Sequence, residues 1–183
     1  MPLFRHFYYP DTKAKDAEFP LVIFSHGAFG YYESNSSTYL ELASKGYVVI
    51  SLDHPYHSFY TEDTDGKLII VDPGFMQEVQ YVNENNTPET DIFDYSSKWL
   101  KLRTDDMSFV IDTIQLAKKK DIHTSEDVMN AIKMADDNNI GLFGHSLDGA
   151  TGEYCHSHPG MCFSTGTEIW IRGLFCSGAL WTA

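Results

Sequence analysis

Ile140-Gly141-Leu142-Phe143-Gly144-His145-Ser146-Leu147-Asp148-Gly149 is the stretch on which the fold turns. Its opening run, Ile140 to Phe143, is apolar and shows no polar alternation, as suits a strand buried on both faces of a parallel sheet. The run passes without a spacer into a glycine-flanked turn that carries a serine, and then into the start of a helix. Strand, serine turn and helix form the context in which a G-x-S-x-G elbow raises a reactive hydroxyl above a sheet. Two departures qualify the match. The last glycine of the pattern is Asp148, which adds bulk and negative charge where an oxyanion would develop. Only 37 residues follow Ser146, little chain in which to supply an acid and a histidine.

Upstream, the pattern is of alternating strands and helices. Leu3 to Tyr9 is rich in aromatic residues and stops at Pro10-Asp11, as an edge strand would. Leu21 to Phe24 is a second short apolar run, leading into Ser25-His26-Gly27-Ala28-Phe29-Gly30. Ser36 to Lys45 predicts a helix closed by Gly46, and Tyr47 to Leu52 the next strand, ended by Asp53-His54-Pro55. Strand, helix and strand within so few residues make a βαβ unit. From Ser58 to Pro88 the pattern loses its regularity and suggests an excursion near the entrance to a site. Between Glu89 and about Lys118, Ile92, Tyr95, Trp99, Leu102, Phe109 or Val110, Ile114 and Ala117 recur near a period of 3.6, predicting one long amphipathic helix. Arg103 and Asp106 stand i,i+3 on it, within reach of each other and suited to helix packing. Lys118 to Lys120 favour its C-terminal dipole. Ser125 to Ala135 predicts a shorter helix.

Composition narrows the function classes. The 183 residues suit a single domain. With 13 Lys+Arg against 26 Asp+Glu the formal net charge is −13. Such a surface repels nucleic acid and anionic headgroups, so no nucleic-acid partner is expected. No stretch approaches the roughly 20 apolar residues of an integral membrane segment. Met1 to His6 lacks a basic segment followed by an apolar core, so a cytoplasmic location is the default expectation. Cys155, Cys162 and Cys176 give an odd count, against a closed disulfide framework. Cys155, His156, His158 and Cys162 lack paired zinc-ligand spacing, so neither a metal nor a cofactor is expected.

The loops after Phe24, Leu52 and Phe143 share the carboxyl edge of a parallel sheet, where ligands bind in open α/β folds. His26-Gly27 and Ser146 are therefore expected to meet. Serine needs a base to take its proton, and its tetrahedral intermediate needs two backbone donors. The layout offers the N–H of Leu147, next to the serine, and that of Ala28 or Phe29. These paired loops predict an α/β-hydrolase fold, a mostly parallel sheet with flanking helices, incomplete on its C-terminal side. As alternatives, Ser146 caps a helix, and the domain is an unrelated doubly wound one. His26 is expected to shape the oxyanion loop through hydrogen bonds, and His145 to pack under the turn. Neither those two nor His54, His57, His156 or His158 is well placed to be the base.

Five blocks carry a family resemblance: Pro20 to Gly27, Leu42 to Val49, Asp53 to Ser58, Asp106 to Asp112, and Ile140 to Thr151. In this order they resemble the platelet-activating-factor acetylhydrolase (plasma type) family and its bacterial relatives, over roughly residues 3 to 151. The resemblance implies calcium-independent hydrolysis of short or oxidised acyl esters, in some members of phospholipids. It also implies Ser146 as nucleophile and Ala28 and Leu147 as oxyanion donors. The family's aspartate and histidine have no matching positions here.

Residues 152–183 differ from what precedes them. They hold every cysteine, two of the three tryptophans, no lysine and three charged residues. Residues 1–151 are therefore expected to be the N-terminal part of a single α/β-hydrolase domain, and 152–183 an atypical tail. Translation out of frame accounts for such a tail. A genuine short pseudo-enzyme is the alternative. The expectation for function is a serine carboxylic ester hydrolase acting on a small-molecule or lipid ester and inactive as this chain. A dienelactone-hydrolase-like enzyme or a peptidase is the runner-up, and a catalytically dead binding module the rival from another class. Oligomeric state is not encoded in any of these features.

Overall fold

A computed structural model of the chain describes residues 18–63, 65–120 and 126–147. Three strands form a parallel sheet in the order β2-β1-β5: β1 (Phe19–Ser25), β2 (Val48–Leu52) and β5 (Ala135–Gly144). β1 lies in the middle. Its last residue, Ser25, stands in register with Leu52 on one side and Gly144 on the other. The ends of all three strands, and the loops that follow, are thereby set side by side.

Alternation along β1 decides which helix covers which face. Leu21 and Ile23 enter the main core with Met107, Val110, Ile111 and Ile114 of α3 (Glu89–Lys119) and Val128 and Ile132 of α4 (Glu126–Met134). Phe24 packs instead on Tyr39 of α1 (Ser36–Ser44), with ring centroids 5.9 Å apart, and on Phe143 at 5.2 Å. Helices thus cover both faces, which is why β1 and the end of β5 read as uninterrupted apolar runs. α1 closes as expected: Gly46 adopts φ +90°, a conformation that costs glycine nothing.

β5 is longer than the run Ile140 to Phe143 indicated. Ala135 and Asp136 pair with Phe19 and Pro20, the register then shifts, and Ile140 pairs with Leu21. The polar residues 137–139 form the irregularity between them. Lys118 fastens this region by donating to Ala135 O and Glu18 Oε1, both at 2.5 Å, with Asp137 Oδ1 at 3.2 Å.

α3 is the single long helix the periodicity predicted. Its inward stripe runs through Trp99, Arg103, Met107, Val110, Ile114 and Ala117. Of the two alternatives at 109 and 110, Val110 is inside, whereas Phe109 and Leu102 reach solvent.

The irregular excursion has more structure than its sequence suggested. It holds a hairpin of β3 (Tyr60–Glu62) with β4 (Leu68–Ile70), and then α2 (Pro73–Val82). Asp72 caps α2 by accepting from Gly74 N and Phe75 N, with Pro73 at the first helical position. Glu78 ties α2 to α3, accepting from Lys98 Nζ at 2.6 Å and Trp99 Nε1 at 2.8 Å. The strand expected over Leu3 to Tyr9, Asp148, and all of 151–183 with its cysteines lie outside the described residues.

Candidate active site

Among the described residues, three other than glycine adopt positive φ: Phe29 at 59°, Tyr56 at 69° and Ser146 at 55°. Each lies in the loop after a different strand of the sheet, at its carboxyl edge. A left-handed conformation costs a non-glycine residue about 1–3 kcal/mol and persists only where its surroundings impose it. The backbone strain of the described residues is thus gathered along one edge, where an open α/β sheet binds its ligands.

The loop after β1 and the turn after β5 meet there, as expected. A Cβ placed on Gly27 would lie 3.0 Å from His145 Nδ1, 3.1 Å from Ser146 Cβ and 3.2 Å from His145 O. A side chain at 27 would crowd the serine turn, against which this backbone lies directly. Ala28, Phe29 and Leu147 pack together on a second apolar cluster of Val71, Phe75 and Trp99. The structure therefore brings Ser146, Ala28 and Leu147 to one place. A groove of about 440 Å³ lies between Phe29 and α2, lined by Pro73, Met76, Gln77, Val79, Gln80 and Asn83.

Beneath the loops lies a buried polar layer. His26 Nδ1 is 2.7 Å from Gly27 O. A carbonyl only accepts, so Nδ1 carries the proton. Nε2 then accepts from Ser58 Oγ at 2.8 Å. His26 does shape the loop through hydrogen bonds. Arg103, fully buried, donates from Nη1 to His26 O at 2.7 Å. His54 is 2.6 Å from Ser25 Oγ through Nε2 and 2.7 Å from Asp106 Oδ2 through Nδ1. His57 lies flat on Phe75 at 3.9 Å. Asp53 accepts from Tyr32 N at 2.7 Å and Thr61 Oγ1 at 2.9 Å, holding the first two loops together.

Burial governs the charges in this layer. It lowers His26 to about 3, with Arg103 and then His54 adding to the effect. It drives His54 well below 6.5, again aided by Arg103, and takes His57 to about 4. All three imidazoles are neutral at pH 7. Burial also lowers Arg103 to about 9, against the attraction of Asp106, and leaves it cationic. Burial raises Asp106 to about 6, with Arg103 opposing, so it is ionised at neutral pH. His26 Nε2 lies 3.7 Å from Asp53 Oδ1, but a neutral ring forms no ion pair there.

Sequence reasoning foresaw the meeting of the first and last loops and missed the polar layer. Arg103 and Asp106 do serve helix packing, but each does so through a partner in the loops below the site. Among the described residues no group of three or more His, Cys, Asp and Glu is arranged to hold a metal, and no helix is long and apolar enough to cross a membrane.

The architecture is that of an α/β-hydrolase fold. It superposes on a ferulic acid esterase from Streptomyces cinnamoneus with a TM-score of 0.54 and 21% identity. The match covers 81% of this chain and 35% of that one, so the chain spans little over a third of the esterase's length. Residues 10–159 match the family described as platelet-activating factor acetylhydrolase, isoform II, and the chain belongs to that family.

Proposed function

We propose that Ser146 is the nucleophile of a carboxylic ester hydrolase site, with the backbone N–H groups of Leu147 and Ala28 as oxyanion donors. On this reading residues 1–151 form the N-terminal part of one hydrolase domain. The observation that carries it is the contact of Gly27 with a serine held at φ 55°. A strained serine at a strand end, with a glycine-bearing loop against it, is the arrangement that acyl transfer requires. In the reaction Ser146 Oγ attacks the ester carbonyl, the oxyanion collapses, the alcohol leaves, and water releases the acid from the acyl-enzyme. Each oxyanion donor is worth about 2.7–4 kcal/mol in the transition state. The groove beside Phe29 offers apolar walls and neutral amides. It suits a short acyl ester, or the ester of a phospholipid, better than a charged acyl group.

Among the described residues, none of His26, His54 and His57 is placed to act as the base. His26 and His54 spend their ring nitrogens on Gly27, Ser58, Ser25 and Asp106, and His57 is stacked on Phe75. On the described residues alone, Ser146 is a placed nucleophile without an activating base, and on this reading the chain is expected to be catalytically silent. Mass spectrometry after exposure to a fluorophosphonate tests the reading. We expect no labelling at pH 7.5, and slow labelling confined to Ser146 once imidazole is supplied as an external base. Labelling without imidazole would overturn the silence. If imidazole gives no labelling, or labels surface serines equally, the oxyanion site itself is refuted.

A further inference from the structure

We propose that Asp106, acting through His54, is a positioning residue that holds Ser25 at the junction of the serine turn and the oxyanion loop. The inference rests on Ser146 being the reactive residue of this site. Asp106 Oδ2, His54 Nδ1, His54 Nε2 and Ser25 Oγ form an unbroken line with contacts of 2.7 and 2.6 Å. An ionised carboxylate only accepts, so Nδ1 carries the ring proton. Nε2 is then bare and takes the Ser25 hydroxyl proton. The polarity is that of a serine-histidine-aspartate triad. Its use is different. Ser25 and His54 are wholly buried, as is Ile23 below them, so no ester reaches the Ser25 oxygen.

What the line does follows from where Ser25 sits. It is the last residue of the central strand, paired with the ends of both neighbours. Its own carbonyl accepts from His145 N at 3.2 Å, the residue just before Ser146. Its chain continues into His26, whose carbonyl Arg103 holds one helical turn before Asp106. The Gly27 carbonyl is gripped in turn by His26 Nδ1 and by Gly30 N at 3.0 Å. That carbonyl belongs to the peptide whose other end is the Ala28 N–H. α3 thus grips both halves of the proposed oxyanion site, with Arg103 on the loop and Asp106 on the residue from which turn and loop both hang. A misplacement of about 1 Å in such a site costs on the order of a hundredfold in rate.

The groups around the line fix its proton order. Arg103 and Asp105 face Asp106 from α3, while His26 and His57 face His54 from the loops after β1 and β2. Without the carboxylate, the preference for Nδ1–H is lost. If the ring proton then moves to Nε2, Ser25 must turn its own hydroxyl proton elsewhere.

The test uses the full chain labelled with ¹⁵N. In the unaltered protein His54 is expected as the Nδ1–H tautomer at pH 7.5. Asp106→Ala should convert it wholly or partly to Nε2–H and shift the amide signals of His145 and Ala28. Asp106→Asn, nearly the same shape, covers the case in which Asp106→Ala does not fold. Asp105→Ala, which breaks an exposed pair with Lys101, is the control and should leave these signals in place. In the same samples, imidazole-assisted labelling of Ser146 should fall at least about tenfold in the Asp106 variants. Unchanged tautomer and amide signals in Asp106→Asn would overturn the proposal. Those signals do not depend on the reactivity of Ser146. Failure of the unaltered chain to label would therefore count against the esterase reading, while the positioning role stands or falls on the spectra.

Discussion

Acidification from pH 7 to pH 5 should unfold this domain through its buried histidines. In the unfolded chain each imidazole titrates near 6.5, whereas the folded protein holds His26 to about 3 and His57 to about 4. A depressed pKa means that the unfolded state binds the proton first, so stability is lost as pH falls below 6.5. Between pH 7 and 5 a histidine with such a shift gives up about 2 kcal/mol, or about 4 kcal/mol for these two. His54, lowered for the same reason, pushes in the same direction. Asp106 opposes them. Its folded pKa is raised to about 6, so it favours the fold as pH drops toward that of a free carboxyl. Its side chain is 39% exposed, and with solvent screening its share stays below about 1 kcal/mol. The net loss approaches the whole stability of a marginal domain, about 5 kcal/mol. Urea unfolding followed by far-UV circular dichroism at the two pH values measures it directly. His57→Phe keeps the stack on Phe75 and should reduce the loss by about 2 kcal/mol. A difference under about 1 kcal/mol between pH 7 and 5 would refute the reasoning, because the rings would then be hydrated or already charged in the native state.

Three substitutions probe the site and its supports. Gly27→Ala drives a methyl against Ser146 Cβ and the His145 carbonyl. It should cost about 1–3 kcal/mol in urea unfolding and abolish imidazole-assisted labelling. Ser146→Gly removes the strain of a left-handed serine and should raise stability by about 1 kcal/mol, read as a higher Tm, while eliminating any labelling. Asp72→Ala removes the cap of α2 and should cost about 1 kcal/mol in the same unfolding assay.

How much of this was legible depends on the distance over which each feature is encoded. The strands around Leu21 and Ile140, the helix closed by Gly46 and the long α3 announce themselves by local periodicity. The meeting of Gly27 with Ser146 followed from one topological rule about strand ends. α2 escaped notice although Asp72-Pro73 is a helix-start signal, because the acidic turn before it and the polar break after it dominated the segment. β5 was foreshortened because residues 137–139 interrupt its apolar run with a register shift. The roles of Arg103 and Asp106 were beyond local reading. Their i,i+3 spacing suggested that they pair with each other, yet Arg103 reaches His26, 77 positions away, and Asp106 reaches His54, 52 positions away. Helical spacing reveals which face two residues share, and only the folded sheet reveals what that face meets.

The central place of β1 also fixes an order of events during synthesis. Its partner on one side, β2, leaves the ribosome soon after it, but its partner on the other, β5, comes more than a hundred residues later. Throughout that interval the most buried strand of the sheet has one edge without its β5 partner, the condition under which chains associate with one another. Closing so long a loop is slow. Ser146 therefore reaches its place only once β5 docks. A nascent chain stalled before Ala135 would offer chaperones an open β1 edge, and one released after Gly144 would not.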